Sequence, residues 1–235
     1  MRMIKLIKRI LPPNIKEKIL EWYWLIKNKN VGISYSQQGE DILLLKSNFF
    51  PTNKKGFYVD IGAHHPKILS NTYLFYKMGW HGINIDPIPG MIEKFKCRKR
   101  DTNLNIGISN NESDINYFIF KSAPLNTTDK NRVEELNREN IFPEKQIEIK
   151  TQKLSKVLKE YVKNEEIDFL SINVEGCELD VLKSNDWNVF KPKIIIVEIT
   201  NLDMDKLENN EIHTYLSKLG YKLFARTPFN SLYKR

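Results

Sequence analysis

Cysteine is scarce in this chain: Cys97 and Cys177 are the two present among 235 residues, and neither belongs to a CxxC pair or a metal-ligand pattern. A disulfide framework and a structural metal site are therefore not expected, and a reduced, cytoplasmic setting is the simplest reading. Long hydrophobic runs are missing too. No apolar stretch approaches the roughly 18–20 residues of a membrane span. The basic N-terminus lacks an apolar core followed by a small-residue cleavage site, so no secretory signal is expected. Evenly spread positive charge is a third absence. The net charge is +8, and residues 1–30 alone carry +6 of it, which leaves the rest close to neutral. A basic groove for nucleic acid across the main domain is not supported.

What is there is the composition of an ordinary globular domain, 41% hydrophobic and 28% charged, at a length that suits one α/β domain rather than two. Residues 1–30 read as a basic helical appendage. Pro12 and Pro13 interrupt it, a helix is expected over 14–28 with Asn14 as N-cap, and Trp22, Tyr23, Trp24, Leu25 and Ile26 form a dense apolar cluster. Two readings stand side by side: an anchor on an anionic membrane face or a partner enzyme, and a helix packed on its own domain.

From residue 31 onward the pattern is one domain. After a helix over 39–50, short apolar strands alternate with helices: strands at 57–61, 82–86, 103–109 and 114–120, helices at 70–78 and 92–98. Residues 121–145 are polar and look like an insertion, a candidate substrate lid, with a helix over 131–140. Strands at 146–151, 167–174 and 193–199 and helices at 154–162, 179–184 and 211–219 resume the order. Strands at 221–225 and 231–234 close the chain as an antiparallel pair. The fold class expected is Rossmann-like, doubly wound α/β.

In such sheets ligands bind beyond the carboxyl ends of the strands. The segment FYVDIGAHHP, residues 57–66, supplies Asp60, Gly62, Ala63 and His64 at the first strand end; Asp86 closes the second, and Asn105 lies at the third. Asp86 follows Asp60 by 26 residues, near the spacing at which a carboxylate meets a ribose diol. The turn is not GxGxxG. It has one glycine, Pro66 removes a donor, and Asp60 would repel a pyrophosphate. A cofactor carrying sulfonium and ammonium groups suits Asp60 better, which points to S-adenosylmethionine over a dinucleotide; a purely structural strand-turn is the alternative. A second constellation is SINVEGCE, residues 171–178, together with Glu198 in IIIVEI. Glu175 and Glu198, with His65, are candidate catalytic bases. Ser70, Asn71, Asn173 and Glu178 are candidate substrate contacts. Helix capping and ion pairing are the competing explanations for the acids, and simple packing for the histidines.

YSQQGED (35–41), DIGAHHP (60–66), SNT (70–72), FYKMGW (75–80), GINIDP (82–87), SINVEGCELDVL (171–182) and PKIIIVEI (192–199), in that order, resemble the FkbM family of S-adenosylmethionine-dependent methyltransferases. The resemblance implies a class I methyltransferase fold, a seven-stranded sheet with its last strand antiparallel, and methyl transfer to an oxygen of a sugar or polyketide. It implies Asp60 and Gly62 at the amino-acid end of the cofactor, Asp86 at its ribose, and no metal is assigned. One departure is Asn173, where the family usually has aspartate. A nucleic-acid methyltransferase and a scaffold that kept the fold without the chemistry are the rival readings, and Asn173 is the best argument for the latter.

Overall fold

A strand buried at every position needs cover on both faces, and β1 (Phe57–Ile61) and β8 (Ile167–Ile172) are buried throughout. The computed structural model describes residues 32–50, 55–122 and 125–235. The chain divides into two compact units, Met1–Ser34 and Tyr35–Arg235, and the described elements belong to the second. The helix expected over 14–28, its cap Asn14 and its aromatic cluster lie outside the described residues.

The main sheet contains β1 (Phe57–Ile61), β2 (His81–Ile85), β3 (Thr102–Leu104), β8 (Ile167–Ile172), β9 (Ile194–Glu198), β10 (Lys222–Arg226) and β11 (Asn230–Lys234). Their order is β10-β11-β9-β8-β1-β2-β3, parallel throughout except that β11 runs antiparallel to both of its neighbours. The strand order reverses between β1 and β8, which is where a doubly wound sheet opens its ligand crevice.

Alternation along each strand divides the core in two. Val59, Ile61, Ile83, Ile85, Leu170, Ile172, Ile195 and Val197 face one way. They pack on Leu154, Val157 and Leu158 of α5 (Leu154–Tyr161), Val181 and Leu182 of α6 (Glu178–Lys183), and Leu216 of α7 (Glu211–Lys218). Tyr58, Phe169, Ile194, Ile196 and Leu232 face the other way, against Leu44 of α1 (Glu40–Lys46), Phe75 of α2 (Tyr73–Lys77) and Trp80. Gly79, at φ +93, ends α2 in the left-handed conformation that lets Trp80 N bond back to Phe75 O at 3.1 Å. A short turn of helix, α3 (Pro89–Ile92), runs into a 3-10 segment (Glu93–Cys97) ahead of Arg98.

Two expectations need correction. The strand expected over 103–109 is broken: β3 stops at Leu104, and β4 (Gly107–Ile108) pairs instead with β7 (Thr151–Gln152) outside the main sheet. The cause is local, since Asn105 turns its side chain to the Asp86 carbonyl and Ile149 packs directly on Gly107. The strand expected at 114–120 exists as β5 (Ile115–Ile119), but it forms a separate antiparallel hairpin with β6 (Lys145–Ile149). Its alternating Ile-Asn-Tyr-Phe-Ile pattern is that of a strand with two unlike faces, not of a central parallel strand. The hairpin closes over α4 (Lys130–Arg138), N-capped by Asp129 Oδ1 at 2.8 Å from Asn131 N, around a small core of Phe120, Val133 and Leu136. Among the described residues no helix is long and apolar enough to cross a membrane.

The YSQQGED segment is an internal clamp. Asp41 accepts from Tyr35 N (2.7 Å), Ser36 Oγ (2.9 Å) and Ile42 N (2.8 Å). Glu40, fully buried, accepts from Gln38 N, Thr227 Oγ1 and Asn230 Nδ2 at 2.7–2.9 Å, which ties α1 to the β10–β11 turn. Burial works against its charge, and these donors outweigh it, holding the carboxyl below the usual range.

Candidate active site

The turn after β1 is bound down at every donor. Gly62 N and Ala63 N both reach Ile85 O (3.0 and 3.1 Å), His64 N reaches Asp86 Oδ2 (2.9 Å), and His65 N reaches Ala63 O (2.6 Å). Pro66 has none to give. A pyrophosphate would therefore find no free N–H in residues 62–66, whereas a cofactor without phosphate loses nothing. Gly62 has φ +76, and a Cβ there would collide with the Asn173 carbonyl, so the β1 and β8 strand ends can close together only with glycine at this point. Asn173 N in turn donates to Ile61 O at 3.0 Å.

Asp86 stands at the rim of this turn. Its Oδ2 takes His64 N and its Oδ1 takes Ile88 N, each at 2.9 Å. Those bonds fill half the acceptor sites of a carboxylate and leave room for two hydroxyl donors. Burial raises its pKa, and the two backbone donors only partly oppose this. A desolvated carboxylate with acceptor capacity left over fits a ribose diol. Asn105 is exposed, its amide bound to the Asp86 carbonyl at 2.9 Å, so it braces Asp86 from outside rather than lining the crevice.

Asp60 is buried near the end of β1. It is 5% exposed and accepts from Thr72 Oγ1 at 2.9 Å. Burial pushes its carboxyl up, while Arg98, Thr72 and Ser171 pull the other way. Arg98 is the centre of this layer and is itself 0% exposed. Its guanidinium reaches the Pro66 carbonyl, Ser70 Oγ (2.8 Å), Thr72 Oγ1 (2.8 Å) and Asn84 Oδ1 (3.3 Å), and pairs with Asp101 at 3.6 Å. Asp60 and Ser70, expected at cofactor and substrate, are joined to Arg98 in this layer, Ser70 directly and Asp60 through Thr72. Ser70 Oγ also accepts Tyr73 N at 3.1 Å, which opens α2. Asn71 is half-buried, with Nδ2 on Ser171 Oγ at 3.1 Å, near the β8 strand end.

The acids of the second constellation differ in role. Glu178 is buried, and its Oε1 accepts from Val174 N (3.0 Å) and Gly176 N (3.2 Å), so it staples the β8–α6 turn. That turn puts Glu175 at φ +55, a left-handed conformation costing about 1–3 kcal/mol for a residue with a side chain. Glu175 is exposed at the turn, yet the surrounding protein and then Glu178 raise its pKa. Glu198, half-buried at the end of β9, is pushed up to about 7 by burial, then by Glu175 and Glu178. The structure thus brings Glu175, Glu178 and Glu198 into one electrostatic group. Among the described residues no set of His, Cys, Asp or Glu is arranged to hold a metal ion.

His65 is a poor base here. Its Nδ1 already accepts from Lys67 N and Ile68 N, both at 3.1 Å, and partial burial, then Lys94, lowers its pKa. Its Nδ1 caps a local turn. His64 is exposed at φ +52, and its backbone rather than its ring serves Asp86. Two residues escaped sequence reasoning. Arg98 carried no signal beyond ending a short apolar helix. Tyr117 was legible only as one position of an alternating strand.

The profile of the Methyltransferase FkbM domain matches residues 60–223, which takes in the turn, both strand ends and the acid group. No curated protein gives a significant match. Solved structures similar to the chain include a TehB-like SAM-dependent methyltransferase from Corynebacterium glutamicum, at 9% identity and TM-score 0.40, covering 96% of this chain and 100% of that one. Another is an O-methyltransferase from Bacillus cereus in complex with SAH, at 9% identity and TM-score 0.40, covering 97% and 93%. With the domain profile spanning most of the chain, and a 3-2-1-4-5-7-6 sheet beneath it counted in main-sheet order, the chain belongs to the FkbM methyltransferase family.

Proposed function

We propose that this methyltransferase transfers a methyl group from S-adenosylmethionine to a hydroxyl of a sugar or glycan, with Glu198 as general base. The observation that carries the reading is the Glu198 carboxyl, pushed up to about 7 at the end of the strand beside the crevice. A base of that strength is partly ionised at neutral pH and still holds a proton well, the compromise that general-base catalysis favours. S-adenosylmethionine supplies a methyl group on a sulfonium that is already a good leaving group. Asp86 holds the ribose hydroxyls, and the tied-down Gly62–Ala63 backbone forms a fixed wall. Asn71 and Asn173 offer amides to an acceptor at the β8 end. Alignment of the reactants can account for roughly 7–11 kcal/mol of barrier. A carboxylate oxygen of Glu198 takes the hydroxyl proton, and Glu175 and Glu178 keep that carboxylate basic. The free Cys97 and Cys177 support a reducing, cytoplasmic setting as part of the proposal.

The test is methyl transfer from labelled S-adenosylmethionine over a panel of saccharides and sugar nucleotides, with mass spectrometry of surface glycans from cells with and without the protein. Labelled saccharide in vitro, and a methyl group lost from the glycan without the protein, are expected. Cofactor binding with methylation confined to non-carbohydrate acceptors would sink the reading.

A further inference from the structure

The β5–β6 hairpin has two chemically different faces. Phe118 points with Phe120 into the small core under α4, with Val133 and Leu136. Tyr117 lies opposite Ile147, and Ile115 opposite Ile149, so these four share the other face. That face turns toward the body of the domain, because Ile149 packs on Gly107. Gly107 N donates to Lys150 O at 2.9 Å, and Asn105, two residues earlier, is bound to the Asp86 carbonyl. On its other edge β5 bridges Thr127 by two backbone bonds, Phe118 N to Thr127 O at 2.9 Å and Thr127 N to Phe118 O at 3.1 Å. Thr128 Oγ1 then lies 3.4 Å from Cys177 Sγ, two residues beyond Glu175. The hairpin is thus rooted beside Asp86 and clasped to the Glu175 turn.

We propose that Tyr117 is a cofactor-contact residue whose ring closes the crevice over the ribose and sulfonium of bound S-adenosylmethionine. This rests on the assignment of the crevice to that cofactor. Asp86, Glu175 and the Asn126 side chain are all close enough to act on the Tyr117 phenol. Burial pushes the phenol up to about 12, so it remains neutral. An aromatic ring is a favourable neighbour for a sulfonium, since its face carries negative potential.

The test is calorimetric titration of S-adenosylmethionine into the full chain, wild type and variants, with 3-fluorotyrosine placed at position 117 for 19F spectra. Tyr117→Leu should weaken binding roughly five- to thirty-fold. Asn116→Ala, on the opposite face, should leave it unchanged. Exchange protection of the Phe118 amide reports whether the hairpin survives in Tyr117→Leu. Independently of any variant's folding, the 19F resonance should shift when the cofactor saturates. An unmoved resonance, or wild-type affinity in a Tyr117→Leu chain with its Phe118 amide protected, overturns the proposal. A wild-type chain that binds no S-adenosylmethionine overturns the crevice assignment, and this proposal with it.

Discussion

Arg98→Ala is expected to destabilise the domain by about 3–5 kcal/mol, the range found when one partner of a buried ion pair is removed. The guanidinium is wholly buried and is shared among Asp101, the Pro66 carbonyl, Ser70, Thr72 and Asn84, with Asp60 held through Thr72. Without it two buried carboxylates stand uncompensated. Urea titration should show a lower midpoint with an unchanged slope. The sign of the pH dependence is fixed by the acids. Asp60 and Asp101 already have raised pKa values through burial, so the folded state holds their protons more tightly than the unfolded chain does. Stability therefore falls as pH rises above the ordinary carboxylate range, and the deficit of Arg98→Ala should shrink as pH is lowered toward that range. A loss under about 1 kcal/mol, the scale of an exposed pair, would mean that Arg98 is not the support of the turn.

Glu198→Gln is expected to lower kcat by roughly two to four orders of magnitude, the contribution of a positioned general base. In the wild type, activity should climb as pH rises through about 7, because the protonated carboxyl cannot accept the hydroxyl proton. The variant should lose that limb altogether. Stability should change in the opposite direction. The folded pKa lies above the ordinary glutamate value, so ionising Glu198 destabilises the fold progressively up to about pH 7 and fully above it. Glu198→Gln should therefore melt higher than wild type at pH 8 and nearly alike at pH 4. Retention of the activity limb in the variant would assign the titration to another group, with Glu175 next in line.

The sheet was legible because its signal is local. Phe57–Ile61, Ile167–Ile172 and residues 194–197 are short runs buried on both faces, as interior strands of a covered sheet are. The place of Asp86, directly after β2, was legible for the same reason, as a polar residue following such a run. What sequence could not show is the direction of a side chain once several partners compete for it. Asp60 and Ser70 read as crevice residues with no sign of Arg98, 38 residues beyond Asp60, which stands between Ser70 and Asp60's partner Thr72. Glu178 reads as a substrate acid with no sign that its carboxylate accepts from two N–H groups of its own turn. The hairpin was misread because the period-2 pattern of β5 names a strand without naming its partner, and the partner β6 lies across α4.

The claim on which the rest depends is that the crevice holds S-adenosylmethionine with Asp86 on its ribose, and calorimetry tests it without any knowledge of the acceptor. The wild-type chain should bind the cofactor, and Asp86→Ala should bind it roughly ten- to a hundred-fold more weakly, as expected for losing hydrogen bonds to a charged group. Asp86→Asn, which keeps the shape and one acceptor oxygen, should fall between. Wild-type affinity in both folded variants, or no binding by the wild type, would contradict the assignment.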